Sequence, residues 1–291
     1  MIDWLIDEIL LEKHDTGFPT LAEAASNAGH NVILTRYIPF STSVSNDVDQ
    51  FIYERQTVLN KPLVAYGCTG FLKQLVKNPY YKFSCPGAYF KIDELKYSVY
   101  SSQWGEYMFN EDYIMLPYGE LKRRIDEDIH EGRRPPHFKS HRLFVRPDVV
   151  TKSFAGRLFD FDTFEDSIRS IVQYEPIDDR ELCIIASEKE IIAEFRHIVC
   201  DREVITGSQY RRDGKLDIRS DVDEDCHRLA QQVAEKEDMD YVYVVDTALT
   251  EDGPRIMEFN AFSCSGLYAC DTNIIVDKVG KMAMKELKGD L

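Results

Sequence analysis

The sequence predicts a protein of mixed α/β and α+β class in two parts. A small parallel α/β domain spans residues 1–95, and a larger α+β part with mostly antiparallel strands spans 96–291. Short apolar runs alternate with helical stretches and glycine turns up to about residue 95, the rhythm of β–turn–α units. Beyond about residue 140, strands rich in β-branched and aromatic residues follow one another through tight turns. No internal repeat or low-complexity tract interrupts either pattern.

In the first part, WLIDEIL (4–10) reads as a strand, TGFPTLAEAASNAG (16–29) as a helix ending near Gly29, and NVILTRYIP (31–39) as a strand. KPLVAYGCTGFLKQLVKN (61–78) reads as a buried strand, a glycine turn and an amphipathic helix. The turn YGCTGF resembles a phosphate loop only loosely. It lacks both GxGxxG and a Lys-Ser/Thr pair, so a tight strand-to-helix turn is the better reading. YGELKRRIDEDIHEGRRPPHF (118–138) is a charged helix followed by a Gly-Pro connector, its basic residues interleaved with acids as on a solvated face. Further strands are HRLFVRPDV (141–149), LCIIASE (182–188), IIAEFRHIVCDREVITGSQY (191–210), YVYVVDTAL (241–249) and RIMEFNAF (255–262). A helix with an acidic first turn, SDVDEDCHRLAQQVAEKEDM (220–239), lies among them.

Bulk composition narrows the function classes. The net charge of −16 argues against sequence-independent nucleic-acid binding, which needs a basic surface. Apolar runs are too short to span a membrane, and the acids in MIDWLIDEIL do not suit a signal peptide. A soluble, cytoplasmic protein with no nucleic-acid or membrane partner is expected. The seven cysteines include no CxxC pair and the histidines no HExxH, so reduced thiols and no zinc centre are expected. Cys264 has no neighbouring His or Asn signature that would make it a nucleophile.

The most informative segment is YVYVVDTALTEDGPRIMEFNAF (241–262). TEDGP signals a hairpin turn. With a three-residue loop Glu251–Gly253, Thr250 would pair with Pro254 and Asp246 would stand opposite Glu258, with Asn260 on the same face. Like charges opposed in a sheet are unfavourable, and a divalent cation between them removes that cost. Two carboxylates and an amide oxygen form a hard set suited to Mg²⁺, with nucleotide phosphates and water completing its shell. The alternative is a half-exposed sheet on which Glu258 meets only solvent.

These residues resemble the ATP-grasp superfamily of carboxylate–amine and carboxylate–thiol ligases. That family holds Mg²⁺ with an acid on one strand and Glu-x-Asn on the next, which Asp246 and EFN (258–260) match. FVRPDVVTKSFAG (144–156) is similar to its first nucleotide-binding strand and flexible glycine loop, and ELCIIASE (181–188) to the strand that contacts adenine. EFRHIVCDREVITGSQYRR (194–212) is similar to the following strand pair. Uncharacterised, often phage-encoded ATP-grasp proteins carry a similar ending. One departure is Arg146, where many members have lysine; arginine can still neutralise phosphate. The resemblance implies a pre-ATP-grasp domain (1–95), a first nucleotide-binding subdomain (96–190) and a metal- and substrate-binding subdomain (191–291).

What the resemblance implies chemically is an ATP- and Mg²⁺-dependent ligase that activates a carboxylate as an acyl phosphate and releases ADP and phosphate. Its substrate would be an amino acid, a peptide or a protein terminus. Arg146, Lys152 and Arg196 would be the catalytic cations, with Ser153 and Gly156 in the loop closing over the phosphates. Ile184, Ile185, Ala186 and Ser187 would meet adenine, although CIIAS alone reads as a core strand, and Glu188 would reach the ribose. Asp246, Glu258 and Asn260 would hold Mg²⁺. Glu194 and Arg196 share one face of an apolar strand, so they need partners or ligands. A structural ion pair is one reading, and Arg196 as a carboxylate or phosphate anchor is preferred. Arg211, Ser263, Ser265 and Tyr268 are further substrate candidates, with solvation and packing as the alternatives for Arg211 and Tyr268. A phosphotransferase and a non-catalytic nucleotide-binding protein remain as other readings.

Overall fold

The structure is a computed structural model that describes residues 1–11, 16–37, 61–77, 87–130, 142–149, 154–160, 163, 177–236 and 239–291. Lys152, Ser153, Cys85 and the Gly-Pro connector lie outside these residues. The described chain forms two compact units, one of residues 1–91 with 191–291 and one of residues 92–190.

The first unit begins with a parallel sheet of order β2-β1-β3, where β1 is Asp3–Asp7, β2 Asn31–Thr35 and β3 Leu63–Tyr66. The expected strand over 4–10 stops at Asp7, whose carboxylate accepts from Ile9 N (3.3 Å) and turns Glu8–Leu10 into a 3-10 helix. Helix α1 (Leu21–Asn27) starts later than its sequence run because Thr20 caps it. Thr20 Oγ1 accepts from Glu23 N while Glu23 accepts from Thr20 N, a complete capping box. Helix α2 (Thr69–Lys77) follows β3. The turn between them has its N–H groups occupied, Gly67 N by Ser263 O (2.8 Å) and Cys68 N by Asp7 Oδ2 (3.3 Å), so it is a structural turn and not a phosphate cradle.

The second unit holds α3 (Tyr97–Trp104), β4 (Ile114–Pro117), α4 (Tyr118–His130), β5 (Arg142–Pro147), β6 (Arg157–Asp160) and β7 (Leu182–Ser187). Its four strands form an antiparallel sheet of order β4-β7-β5-β6. Leu121 and Ile125 of α4 pack on Leu143, Val145, Phe159 and Ile185. The opposite face of α4 carries Arg123 and Arg124 paired with Glu120, as interleaved charges predict. Helix α3 and strands β4 and β6 carry no strong periodic signal in the sequence and add to the expected elements.

The first unit resumes with a five-stranded antiparallel sheet of order β10-β9-β8-β11-β12. These strands are β8 (Ala193–Cys200), β9 (Glu203–Arg212), β10 (Lys215–Arg219), β11 (Val242–Thr250) and β12 (Gly253–Ala261). Two-residue loops join β8 to β9 through Asp201-Arg202 and β9 to β10 through Asp213-Gly214. All four residues have positive φ, the geometry that matches strand twist. Helix α5 (Glu224–Lys236) is capped by Asp223 and buries Cys226, Leu229, Ala230 and Val233 against one face of the sheet. Helix α6 (Thr272–Lys288), a further addition to the expected elements, is capped by Asp271 and ends at Gly289 in the left-handed region.

The two faces of β8 and β11 have different neighbours. Ala193 and Phe195 pack on Cys226 of α5. On the other face, Ile198, Cys200, Val242 and Val244 join one core with Trp4, Ile6, Val64 and Tyr66 of the parallel sheet and Ile275, Val279 and Met282 of α6. At Gly280 of α6, a Cβ would stand 2.6 Å from Ile2 Cδ1, so a larger residue there would have to displace the end of that side chain. Among the described residues no helix is long and apolar enough to cross a membrane.

His197 lies on the α5 side of β8, fully buried, with Nε2 and Thr247 Oγ1 2.9 Å apart and Nδ1 lacking a partner. The His227 ring is 6.0 Å away, and Cys226 lies in the same layer. Burial first, and then His227, push the His197 pKa down to about 3. The unfolded chain, titrating near 6.5, therefore binds more protons than the folded one between these values. Stability is full above pH 6.5 and falls as pH drops toward 3. Between pH 6.5 and 5 the expected loss is about 2 kcal/mol in urea unfolding. His197→Gln should flatten the curve over that interval.

Candidate active site

The face that carries Ile198 and Val244 in the core continues to Arg196 and Asp246, which stand directly opposite in the β8–β11 ladder. Arg196 Nε donates to Asp246 Oδ1 (2.9 Å), Nη2 to Asp246 Oδ2 (2.7 Å) and Nη1 to Gly266 O (2.8 Å). Both side chains are buried. Burial lowers the Arg196 pKa, but the facing Asp246 carboxylate outweighs it and holds the guanidinium charged, well above its ordinary value. Of the five guanidinium N–H bonds, three are used, which leaves two without an acceptor among the described residues.

The β11–β12 hairpin differs from its expected register near the turn. The loop has two residues, Glu251 and Asp252, so Thr250 pairs with Gly253 and Leu249 with Pro254. Thr250 Oγ1 accepts from Asp252 N and donates to Gly253 O, and Gly253 takes φ +96°, which closes the shorter loop. A β-bulge then restores the pairing. Met257 is the extra residue between Ile256, opposite Thr247, and Glu258, opposite Asp246. Asn260 Nδ2 donates to Asp246 Oδ2 (3.1 Å) and to Glu258 Oε1 (3.0 Å). The opposed acids are thus bridged by an amide and neutralised by Arg196, a relief of charge that the sequence assigned to a cation alone.

These groups suit Mg²⁺ chemically. The two carboxylates and the amide are hard donors on one face and Glu258 is partly exposed, but here both Asp246 oxygens accept from Arg196 and Asn260 turns Nδ2 toward the two acids, so a bound ion would require the amide to turn its oxygen inward. Among the described residues no group of three His, Cys, Asp or Glu side chains is placed to hold a metal ion.

A second bulge brings in a residue that sequence reasoning missed. Arg211 pairs with Glu194 and Gln209 with Phe195, leaving Tyr210 as the extra residue of β9. Its hydroxyl donates to Glu194 Oε2 (2.7 Å), while Arg211 Nη1 donates to Glu194 Oε1 (3.3 Å). Glu194 and Arg196 are therefore each paired with neighbours rather than with one another. The Tyr210 ring stacks on Tyr268 (4.9 Å, 12°), and Arg196 Cζ lies 5.0 Å from the Tyr268 centroid and 5.7 Å from that of Tyr210. Burial, with Asp246 and Glu194 nearby, raises the Tyr210 pKa well above its ordinary value, so it stays a neutral donor. Tyr268 adopts φ +50°, a conformation costly for a bulky residue and common at functional sites.

The loop after β12 is held tightly. Ser265 Oγ donates to Ala261 O (2.7 Å), and Ser265 O accepts from Tyr66 OH (2.6 Å). Ser263 is buried with its Oγ lacking a partner. Cys264 stands at the end of the intervening 3-10 turn.

The remaining candidates lie in the second unit. Arg146 is buried on β5 with its guanidinium 5.5 Å from the Tyr97 ring centroid, and a Cβ on Gly156 would stand 3.1 Å from Arg146 Cβ. Glycine there lets the chain pass directly over Arg146. Ile184 and Ile185 pair on both sides, with β4 and β5, so their backbone groups are engaged in ladders. Ala186 pairs with Phe144, and Ser187 N donates to Asp112 Oδ2 (3.2 Å). Glu188 accepts from Arg142 Nε (3.1 Å).

A family profile of the ATP-grasp domain matches residues 121–277, more than half of the chain, and the protein belongs to that ATP-grasp family. The structure is similar to that of a D-cycloserine synthetase, with a TM-score of 0.58 at 14% identity over 99% of both chains. It is also similar to two structures of D-alanine–D-alanine ligase from Bacillus anthracis, one of them complexed with ATP, each with a TM-score of 0.51 at 10% identity over 100% of both chains. No curated protein sequence matches.

Because the Arg196–Asp246 pair is buried, Asp246→Ala should destabilise the protein by about 3–5 kcal/mol in urea unfolding, as it strands a charge. The double variant Arg196→Met/Asp246→Leu should recover most of that loss.

Proposed function

We propose that the protein is an ATP-dependent carboxylate–amine ligase acting on an amino acid, a peptide or a protein terminus. The observation that supports this most strongly is the Arg196–Asp246–Asn260–Glu258 cluster, which keeps two guanidinium N–H bonds available beside a set of hard oxygen donors. Membership in the ATP-grasp family supports the nucleotide half of the reading. The similar folds of a D-cycloserine synthetase and a D-alanine–D-alanine ligase support the ligase half.

A carboxylate oxygen of the substrate attacks the γ-phosphorus of ATP, and the bond from that phosphorus to the β–γ bridging oxygen breaks to release ADP. The acyl phosphate so formed is attacked at its carbonyl carbon by an amine, which loses a proton as inorganic phosphate leaves. Arg196 orients the carboxylate through its two remaining N–H bonds, and the fixed geometry with Asp246 and Gly266 O removes the entropy of placing the guanidinium. Arg146 and Lys152 supply positive charge to the phosphates, and the Gly156 segment excludes water from the acyl phosphate. Asp246, Glu258 and Asn260 would hold Mg²⁺, which supplies neutralisation of phosphate charge when bound. In this reading residues 96–190 form the nucleotide-binding part, and 1–95 with 191–291 the acceptor side.

Glu258→Gln tests the assignment. Wild type should gain thermal stability with Mg-ATP, about 2.7 kcal/mol at a hundredfold excess over Kd. The variant should lose the magnesium-dependent part of that shift and should not turn over. An unaltered shift and wild-type ADP release in the variant would remove Glu258 from the site.

A further inference from the structure

We infer that Asn260 is a two-way positioning residue: its amide nitrogen clamps Asp246 to Glu258, and the amide turns end for end to give its oxygen to a divalent cation that bridges the same two acids. This rests on the ligase reading above and describes how its metal site takes up the ion. Asn260 Nδ2 lies 3.1 Å from Asp246 Oδ2 and 3.0 Å from Glu258 Oε1. An NH₂ group has two hydrogens, and here each goes to a different acid. Magnesium binds carboxylate oxygen at about 2.0–2.1 Å, so an ion shared by these two oxygens would lie across the path of both N–H bonds. The amide hydrogens and the cation exclude one another there, by volume and by sign of charge.

The choice of side chain follows from this requirement. A hydroxyl has one hydrogen and could hold only one acid, and an ionised carboxylate has none. An amide has two donors at one end and an acceptor at the other, and the two ends are nearly equal in size. Turning it about the Cβ–Cγ bond swaps them, and that torsion is broad and two-fold. Asn260 is only 7% exposed, between the buried residues Phe259 and Ala261, so an exchange that keeps the shape of the side chain suits its surroundings.

The neighbours keep their places during the turn. Asn260 is paired with Val244 in the β11–β12 ladder, and Asp246 is held by Arg196 through both oxygens. Oδ2 of Asp246 takes one bond from Arg196 Nη2 and one from Asn260 Nδ2, and a carboxylate oxygen has two lone pairs. The bond that Asn260 gives up therefore returns one lone pair to the ion while the Arg196 pair stays intact. A single residue thus relieves the repulsion between the acids in both forms, first as a donor and then as a co-ligand.

The test is nuclear magnetic resonance of the full chain, isotopically labelled at asparagine, with the Asn260 side-chain signals identified by their absence in Asn260→Asp. In EDTA, with or without ADP, both NH₂ protons should be protected from exchange by their charged acceptors. Mg-ADP should speed their exchange about tenfold or more as those bonds are lost. Mg-ADP that binds by calorimetry yet leaves the signals unchanged, or ADP in EDTA that alters them as much as Mg-ADP, would overturn the exchange alone. Asn260→Asp supplies a second arm, because a carboxylate cannot clamp the acids but can bind the ion. Its urea midpoint should fall below that of wild type in EDTA, and Mg-ADP should raise it by more than it raises wild type. No loss in EDTA, or an equal loss in both media as for an amide that merely braces the sheet, would also overturn the exchange. A wild type that does not bind Mg-ADP would instead overturn the ligase reading, and this inference with it.

Discussion

The buried pair of Arg196 and Asp246 is the interaction on which the arrangement of the cluster depends. Neither charge could sit under the sheet alone, because an unpaired ion there is strongly destabilising. Bidentate geometry satisfies both oxygens of Asp246 once, and Asn260 adds a third bond. The carboxylate is thereby fixed in orientation, and Glu258 is held to it through the same amide. Gly266 O takes a further guanidinium bond, so the loop after β12 is positioned by the same ion pair that positions the acids.

Two β-bulges adjust the sheet around this pair. Met257 on β12 and Tyr210 on β9 are each an extra residue beside a charged ladder position. A bulge turns its strand and re-aims the neighbouring side chains. On β12 it compensates for the two-residue loop and keeps Glu258 opposite Asp246. On β9 it places a phenol next to Glu194 and a ring against Tyr268.

These bulges also mark the limit of what was legible in the sequence. Alternation along β8 correctly places Glu194 and Arg196 on one face, because period two is a property of every extended strand. The acidic first turn of α5 was legible, and so was the end of α1 near Gly29, whereas the Thr20 and Asp223 caps that set where these helices begin were not read from the sequence. Nor was the loop length, since TEDGP permits both two and three residues, and the expected pairing of Asp246 with Glu258 came from two departures that cancel. Tyr210 was invisible as a site residue for a related reason: strict alternation has no place for an inserted residue. The Gly266 carbonyl carries no side-chain signal at all.

The core beneath the cluster has a consequence for engineering. Trp4, Ile6, Val64 and Tyr66 pack directly on Ile198, Val242, Val244 and the helix that ends the chain. Swapping the N-terminal strands for those of a relative, or cutting the chain near residue 91, would strip the apolar cover from the strands that carry Arg196 and Asp246. Transplantable pieces of this molecule are therefore discontinuous: residues 1–91 have to travel with 191–291, while 92–190 can be exchanged as a single insert between them.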